Sequence, residues 1–327
     1  MNVQSTLPLR GRPVVALCGG VGGAKLALGL ERLIGADLTV IVNTGDDFEH
    51  LGLHVSPDID TVLYTLGGLS DVERGWGRAD ETWNFMESLG GLGGETWFRL
   101  GDRDLAMHVE RTRALRAGVS LTDFTTAVAR QLGIAASILP MSDDRVETMV
   151  ITADGPLPFQ RYFVGLQCAP VVKRLEFRNA ERAAASSQVL AALGNPNLAA
   201  VIICPSNPYL SVDPILAVSG IRKALDHVTA PIVAISPLIG GQAVKGPTAK
   251  IMAELGVPAD SVAIARHYRF IDGLIIDETD RGDAGKIDMP VYVKSTWMRS
   301  LEDRDRLAAD CLDFAVRLAD AERRKVT

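Results

Sequence analysis

A short apolar run closed by glycines opens the chain and limits the folds available to it. Val14-Val-Ala-Leu-Cys18 stops at Gly19-Gly-Val-Gly-Gly23-Ala-Lys25, after which Leu26, Leu30, Leu33 and Ile34 recur at helical spacing until Gly35. Leu38-Thr-Val-Ile-Val42 follows at once as a second β-branched run. Strand, glycine loop, helix and strand make a βαβ unit with two parallel strands.

The same grammar returns later. Ala200-Val-Ile-Ile-Cys204 ends at Pro205-Ser-Asn-Pro208, followed by a helical pattern through Ile215, Ile221 and Leu225. Pro231-Ile-Val-Ala-Ile235 and Gly273-Leu-Ile-Ile276 repeat it. Each strand breaks into a polar or glycine-containing loop at its carboxyl end, where open α/β sheets bind ligands. Ser70 to Gly133 is rich in helix formers, and Arg145 to Val164 alternates like a hairpin with Gly155-Pro156 at its turn. Leu301 to Arg324 reads as a packed amphipathic terminal helix. The expected fold is α/β and Rossmann-like: a mostly parallel, doubly wound sheet with a mainly helical insertion and a β-hairpin. The chain reads as a single catalytic unit over 1–327, with its α/β core at about 12–66 and 136–327 and the insertion at about 67–135.

The 327 residues carry 34 basic and 40 acidic side chains, a formal charge of −6. That sign excludes a general nucleic-acid footprint or a polybasic membrane patch, so any anionic substrate must meet local positive charge. Cys18, Cys168, Cys204 and Cys311 are scattered without a C-x-x-C pair, which points to a reducing cytoplasm. The stretch Met1 to Arg12 leads into an apolar run too short for a signal segment, and no run approaches a membrane span. For a cytosolic enzyme a homodimer is the default expectation.

After a strand, a glycine loop that opens a helix can turn backbone N–H groups and the helix dipole on a phosphate. Two familiar patterns fail here. A Walker loop would need glycine where Ala24 stands and a hydroxyl where Leu26 stands; a dinucleotide loop would need its third glycine at Lys25. Asn43-Thr-Gly-Asp46-Asp47 ends the second strand and Pro57-Asp58-Ile-Asp60-Thr61 follows, so Asp46, Asp47 and Asp60 are candidate ligands for a magnesium ion neutralising a diphosphate. Capping and turn roles compete for the same aspartates. Arg74-Gly-Trp76-Gly-Arg78, Glu81-Thr-Trp83 and Trp97-Phe-Arg99-Leu-Gly-Asp102-Arg103-Asp104 crowd flat rings and guanidinium groups together. They suit a planar aromatic substrate with an anionic tail; otherwise the rings fill a core and Arg103 pairs with Asp102 or Asp104. His108 and His267 have no serine or cysteine at an informative spacing and read as structural.

The ordered set GGVGGAKL, VNTGDD, SPDIDTVLY, RGWG, ETW, LGDRDLA, LPMSDD, PSNP and SPLIGG closely resembles the 2-phospho-L-lactate transferase family of deazaflavin coenzyme F-420 biosynthesis, from about Val14 to Asp277-Glu-Thr-Asp-Arg281. The resemblance implies attack by the terminal ribityl hydroxyl of the deazaflavin precursor Fo on a guanosine diphosphate ester of a three-carbon acid, with GMP leaving. By motif position it assigns Fo to Asp60 and Arg99, and the nucleotide to Gly19, Gly20, Val21, Gly22, Gly23, Ser206, Asn207 and Pro208; beside these, Trp97 and Thr44 are candidates for the Fo side and Lys25 for the nucleotide side. It gives magnesium to Asp47 with Asp60 nearby, and Asp46 is a further candidate ligand; phosphoryl chemistry adds proton handling by Asp60 and, unless its pairing is structural, charge on the leaving phosphate for Arg103. Asp60 is thereby given two competing jobs. Lactyl, enolpyruvyl and glyceryl donors stay open.

A ligand-sensing regulator resembling the gluconeogenesis factor family is the second reading. In that family a Gly-Gly-Ser-Ser run tends to follow the acid pair, whereas Phe48-Glu-His50 follows here. A nicotinamide dehydrogenase, with Asp46 or Asp47 on the cofactor ribose, is the third.

Overall fold

In the computed structural model, which describes residue 9 and residues 11–326, the opening run becomes an inner strand of the sheet. Strand β1 (Val14–Cys18) pairs in parallel with β2 (Leu38–Val42), Val14 opposite Leu38 and Cys18 opposite Val42. Between them α1 (Gly20–Ile34) runs until Gly35, whose φ of 56° favours glycine and whose N–H bonds back to Glu31 O. The reading of the leading segment as lacking a signal falls largely on residues 1–8 and 10, outside the described residues.

Across the sheet the order is Val291–Lys294, Gly273–Asp277, Ile232–Ile235, Ala200–Ile203, β1, β2, Ser137–Pro140, and all neighbours are parallel. The chain builds outward from β1 to Ser137–Pro140, then returns to the other side of β1 and builds the opposite way. The order therefore reverses between β1 and Ala200–Ile203, and the Gly19 and Pro205 loops leave the carboxyl ends of those two strands. The doubly wound α/β expectation holds. Val291–Lys294, an edge strand of four residues, was not foreseen because its alternation is too short to stand out.

Each sheet face is packed. Val14, Ala16 and Cys18 join one core with α1, while Val15 and Leu17 join the other with residues such as Leu210, Ile221 and Ile264. A continuous apolar run is what a strand covered on both faces requires. The terminal helix, Leu301–Val326, lies along α1.

Between β2 and Ser137–Pro140 lie α2 (Pro57–Leu66), α3 (Asn84–Gly91), α4 (Asp102–Arg116) and α5 (Leu121–Gln131), together with a small hairpin of Phe48–His50 and Leu53–Val55. Pro57 stands at the start of α2 and Asp58 and Asp60 in its first turn, where a fixed φ and negative charge both favour a helix. The second hairpin differs in detail from its expectation. Glu147–Thr152 pairs with Gly155–Pro158, so Ala153 and Asp154 make the turn and Gly155 opens the returning strand. Thr152 Oγ1 fixes that turn by donating to Gly155 O, and Arg174–Arg178 adds a third strand. Among the described residues no helix is long and apolar enough to cross a membrane.

Candidate active site

The loop Gly19–Gly23 is held by side chains from two other segments. Gly19 N–H donates to Ser206 Oγ at 3.1 Å, and the same hydroxyl donates to Gly19 O at 2.7 Å. Gly20 N–H donates to Asp58 Oδ1 at 2.7 Å. A methyl group on Gly22 would lie 2.6 Å from Pro205 O, and one on Gly23 would lie 2.5 Å from Ser206 Oγ. Close packing of two loops thus demands glycine, independently of any ligand. Val21 and Gly22, in the first turn of α1, have no helical carbonyl to donate to, and the cap residue Gly19 has no side chain to accept from them. Their N–H groups and the positive end of α1 suit an anion.

Lys25 completes this wall. Its ammonium donates to Met298 O at 3.1 Å. Burial, with smaller contributions from the charges of Arg304 and Lys245, pushes it below the usual lysine range.

Asn43 gathers the acids. Its Nδ2 donates to Asp46 Oδ1 at 3.0 Å and to Asp58 Oδ2 at 2.9 Å, and Gln160 Nε2 reaches Asp46 Oδ2 at 3.3 Å. Both carboxyls are buried. Burial, followed by repulsion from Asp58 and Asp47, holds Asp46 well above the usual carboxylate range. Burial likewise pushes Asp58 up to about 6, against the hydrogen bonds from Asn43 and Gly20. Asp47 adjoins them: one oxygen accepts from Ser56 Oγ at 2.6 Å and lies 3.2 Å from His54 Nε2, while its Oδ1 has no hydrogen-bond partner among the described residues.

Asp60 projects from α2 toward α4. Both of its oxygens are taken by the terminal nitrogens of Arg111, a side chain with no exposed surface. His108 Nδ1 lies 3.7 Å from Asp60 Oδ2, and Tyr64 O–H donates to Asp104 Oδ1 at 2.6 Å.

The aromatic segment divides. Arg74 lies 5.1 Å from the Trp76 ring and 5.0 Å from the Trp83 ring, and Arg99 lies 4.1 Å over Trp83. Trp97 packs beside His50 at 5.3 Å and carries Arg161 at 4.5 Å. One cavity of about 730 Å³ takes in the glycine loop, Ser206 and Asn207, Asp46, Asp58 and Asp60, and Trp76, Trp97 and Arg99.

Most of the residues singled out in the sequence therefore converge, and some do not. Gly23, Pro208, Thr44 and Asp47 do not line the cavity. Arg103 also lies off the cavity, 3.7 Å from Asp80, while Asp102 caps α3 through Asn84 and Phe85 instead of pairing with Arg103. Asp58 and Arg111 were missed. Asp58 stands in the same motif as Asp60 with nothing local to single it out, and Arg111 sits in a helix so charged that no apolar stripe betrays a buried face.

Among the described residues, two groupings present the chemistry of a cation site. Asp60, Asp104 and His108 bring ligand atoms within 4.8 Å of one another, but Arg111 already fills that space with positive charge. Asp46 and Asp58 fit magnesium better: they are hard oxygen donors, buried, mutually repelling and on the cavity wall, with Asp47 adjoining them.

Comparison with known proteins agrees with the order of the motifs. The family model described as 2-phospho-L-lactate transferase CofD matches residues 14–300. The chain is 42% identical over 283 residues to the phosphoenolpyruvate transferase of Streptomyces griseus, covering 84% of this chain and 88% of that one. It is 44% identical over 276 residues to the protein of that name from Kitasatospora aureofaciens, covering 82% and 85%. With that of Mycobacterium avium it is 39% identical over 303 residues, covering 83% and 89%. A solved member of the UPF0052 family from Bacillus halodurans superposes with a TM-score of 0.58 at 18% identity, over 92% of this chain and 98% of that one, which speaks to fold alone. By its fold, its motif order and these relatives, the chain belongs to the 2-phospho-L-lactate transferase family and is a transferase.

Proposed function

We propose that this transferase moves a phosphoenolpyruvyl group from its guanosine diphosphate ester to the terminal ribityl hydroxyl of Fo, giving the dehydro form of F-420-0 and GMP. The observation that carries it is the single cavity joining the glycine loop and Ser206-Asn207 to Trp97 and Arg99 across three buried aspartates. The name shared by the relatives supports the enolpyruvyl donor over the lactyl and glyceryl ones.

In this account the glycine loop, Lys25, Ser206 and Asn207 hold the guanosine diphosphate part. Trp97 and Arg99 receive the deazaflavin, with Trp83 fixing the guanidinium of Arg99 by stacking. The ribityl oxygen bonds to the phosphorus that carries the three-carbon acid, and the bond from that phosphorus to the oxygen bridging it to GMP breaks. GMP departs with that oxygen. Phosphoryl transfer needs mainly positioning and charge neutralisation, so a fixed acceptor for the hydroxyl proton suffices. Asp60, immobilised by Arg111, supplies it. Magnesium, when bound, offsets charge on the diphosphate, and Asp46 and Asp58 would hold it.

We take the chain as one catalytic unit, because the cavity draws on 12–66, on 67–135 and on 136–327 alike. Its four free cysteines support a reducing cytoplasm, and a homodimer is the form expected in light scattering. The test is incubation with Fo, magnesium and each of the three guanosine diphosphate esters, followed by mass spectrometry. A phosphodiester with GMP, formed fastest from the enolpyruvyl ester, is expected. No product from any donor overturns the proposal.

A further inference from the structure

Two ammonium groups line the cavity without a carboxylate partner among the described residues, in a chain of net charge −6. One is Lys25, on α1. The other is Lys245, which lies in the segment between the short strand Gln242–Ala243 and the helix Thr248–Glu254. Its Nζ donates to Gly75 O at 3.0 Å, a backbone carbonyl 170 residues away. Gly75 belongs to the loop Arg74-Gly-Trp76-Gly-Arg78, and Gly75, Trp76, Gly77 and Lys245 all line the cavity.

An ammonium has three N–H donors, and a carbonyl uses one. The charge of Lys245 is felt at Lys25, and Arg304 adds a third cation to the same neighbourhood. Lys25 and Lys245, neighbouring cations without a carboxylate partner among the described residues, raise one another's energy, and an oxyanion placed between them removes that cost. Lys245 is exposed, so it keeps its freedom to choose a partner.

We propose that Lys245 is a donor-recognition residue: its ammonium takes an oxyanion of the guanosine diphosphate ester together with Lys25, and its bond to Gly75 O fastens the Trp76 loop over the occupied cavity. It rests on the donor proposed above. The oxyanion has two sources, the outer phosphate and the carboxylate of the three-carbon acid. Either would be gripped by a point charge with spare donors. In addition, the fastened loop carries Trp76 toward the wall that receives Fo, so donor and acceptor binding are coupled through Lys245.

The test is calorimetric titration of the wild type, Lys245→Gln and Lys245→Arg with GMP, GDP and the enolpyruvyl ester, and with Fo in the presence and absence of GDP. We expect Lys245→Gln to weaken the ester by about tenfold or more, to leave GMP within about twofold, and to abolish the gain in Fo affinity that GDP gives the wild type. Lys245→Arg, which keeps the charge, should restore most of the loss. Equal weakening of GDP and ester assigns the phosphate, and weakening of the ester alone assigns the carboxylate; both support the proposal. Unchanged affinity for GDP and ester in Lys245→Gln overturns it while leaving the proposed function standing. A wild type that binds none of the three nucleotides removes the donor site, and this inference with it.

Discussion

Arg111, with none of its surface exposed, closes both terminal nitrogens on the two oxygens of Asp60, tying α4 to α2 at the cavity wall. The guanidinium also lies 3.4 Å from His108 Nδ1, within reach of His54 O, and against the Phe124 ring at 5.7 Å. Truncating one partner of such a pair strands the other charge in a dry site. Arg111→Met is therefore expected to lower unfolding stability by about 3–5 kcal/mol, read from urea midpoints. A loss below about 1 kcal/mol, the scale of an exposed pair, would show that water reaches Asp60.

Gly22 tests whether the loop is built for close approach. A methyl group there would press on Pro205 O at 2.6 Å, so Gly22→Ala must move the loop away from the Pro205 segment. Affinity for guanosine nucleotides should fall by about tenfold or more, with Fo binding changed far less. Equal nucleotide affinity in fluorescence titration would place the nucleotide elsewhere.

Arg99 tests the acceptor side. Arg99→Ala and Trp83→Ala should both weaken Fo, the first by removing the planar donor and the second by removing the ring 4.1 Å beneath it. Guanosine nucleotide binding should stay near wild type in both. The reverse order of effects would show that the two subsites have been exchanged.

Asp58 makes stability depend on pH. Its carboxyl has an ordinary value of 3.8 and is pushed up to about 6 by burial in the folded chain. For a raised value the contribution is full below the ordinary value and is lost as pH rises through about 6, because the buried group must then ionise. The loss by pH 8 is on the order of 3 kcal/mol, at about 1.4 kcal/mol for each tenfold gain in proton affinity on folding. Asp58→Asn should flatten part of the decline in urea midpoint between about pH 4 and 8; Asp46, raised in the same direction, supplies further slope. Parallel slopes in wild type and variant would contradict this.

The same acids set the response to magnesium. A cation that binds only ionised carboxylates stabilises the fold by mass action, so magnesium should raise the melting temperature at pH 8 and do little at pH 5. Asp46→Asn should remove most of that rise. A rise of equal size at both pH values, or one that survives the substitution, would put the ion elsewhere.

The sheet was legible because its signal is local. Val14–Cys18, Leu38–Val42 and Ala200–Ile203 are apolar runs stopped by glycine or proline, and strands buried on both faces need nothing subtler. The glycine loop and the Ser206 loop followed from the same runs, since both leave strand ends at the reversal point. The polar half of the site was harder to read. Asp58 and Asp60 are two residues apart on one helix, yet Asp58 turns to Gly20 and Asn43 while Asp60 turns to Arg111. No pattern within α2 distinguishes them, because the distinction lies in partners far away in sequence. Arg103 misled for the opposite reason: its motif is local, but the first turn of α4 directs its side chain toward Asp80 and off the cavity wall.

If one phosphorus changes partners inside this cavity, phosphorus-31 NMR of a turnover mixture containing the enzyme, Fo, magnesium and the enolpyruvyl ester of guanosine diphosphate records the exchange. The two diphosphate resonances should be replaced by a phosphomonoester, GMP, and a phosphodiester in equal amounts, and only when Fo is present. An unchanged spectrum would contradict the account, as would conversion to GDP or inorganic phosphate regardless of Fo.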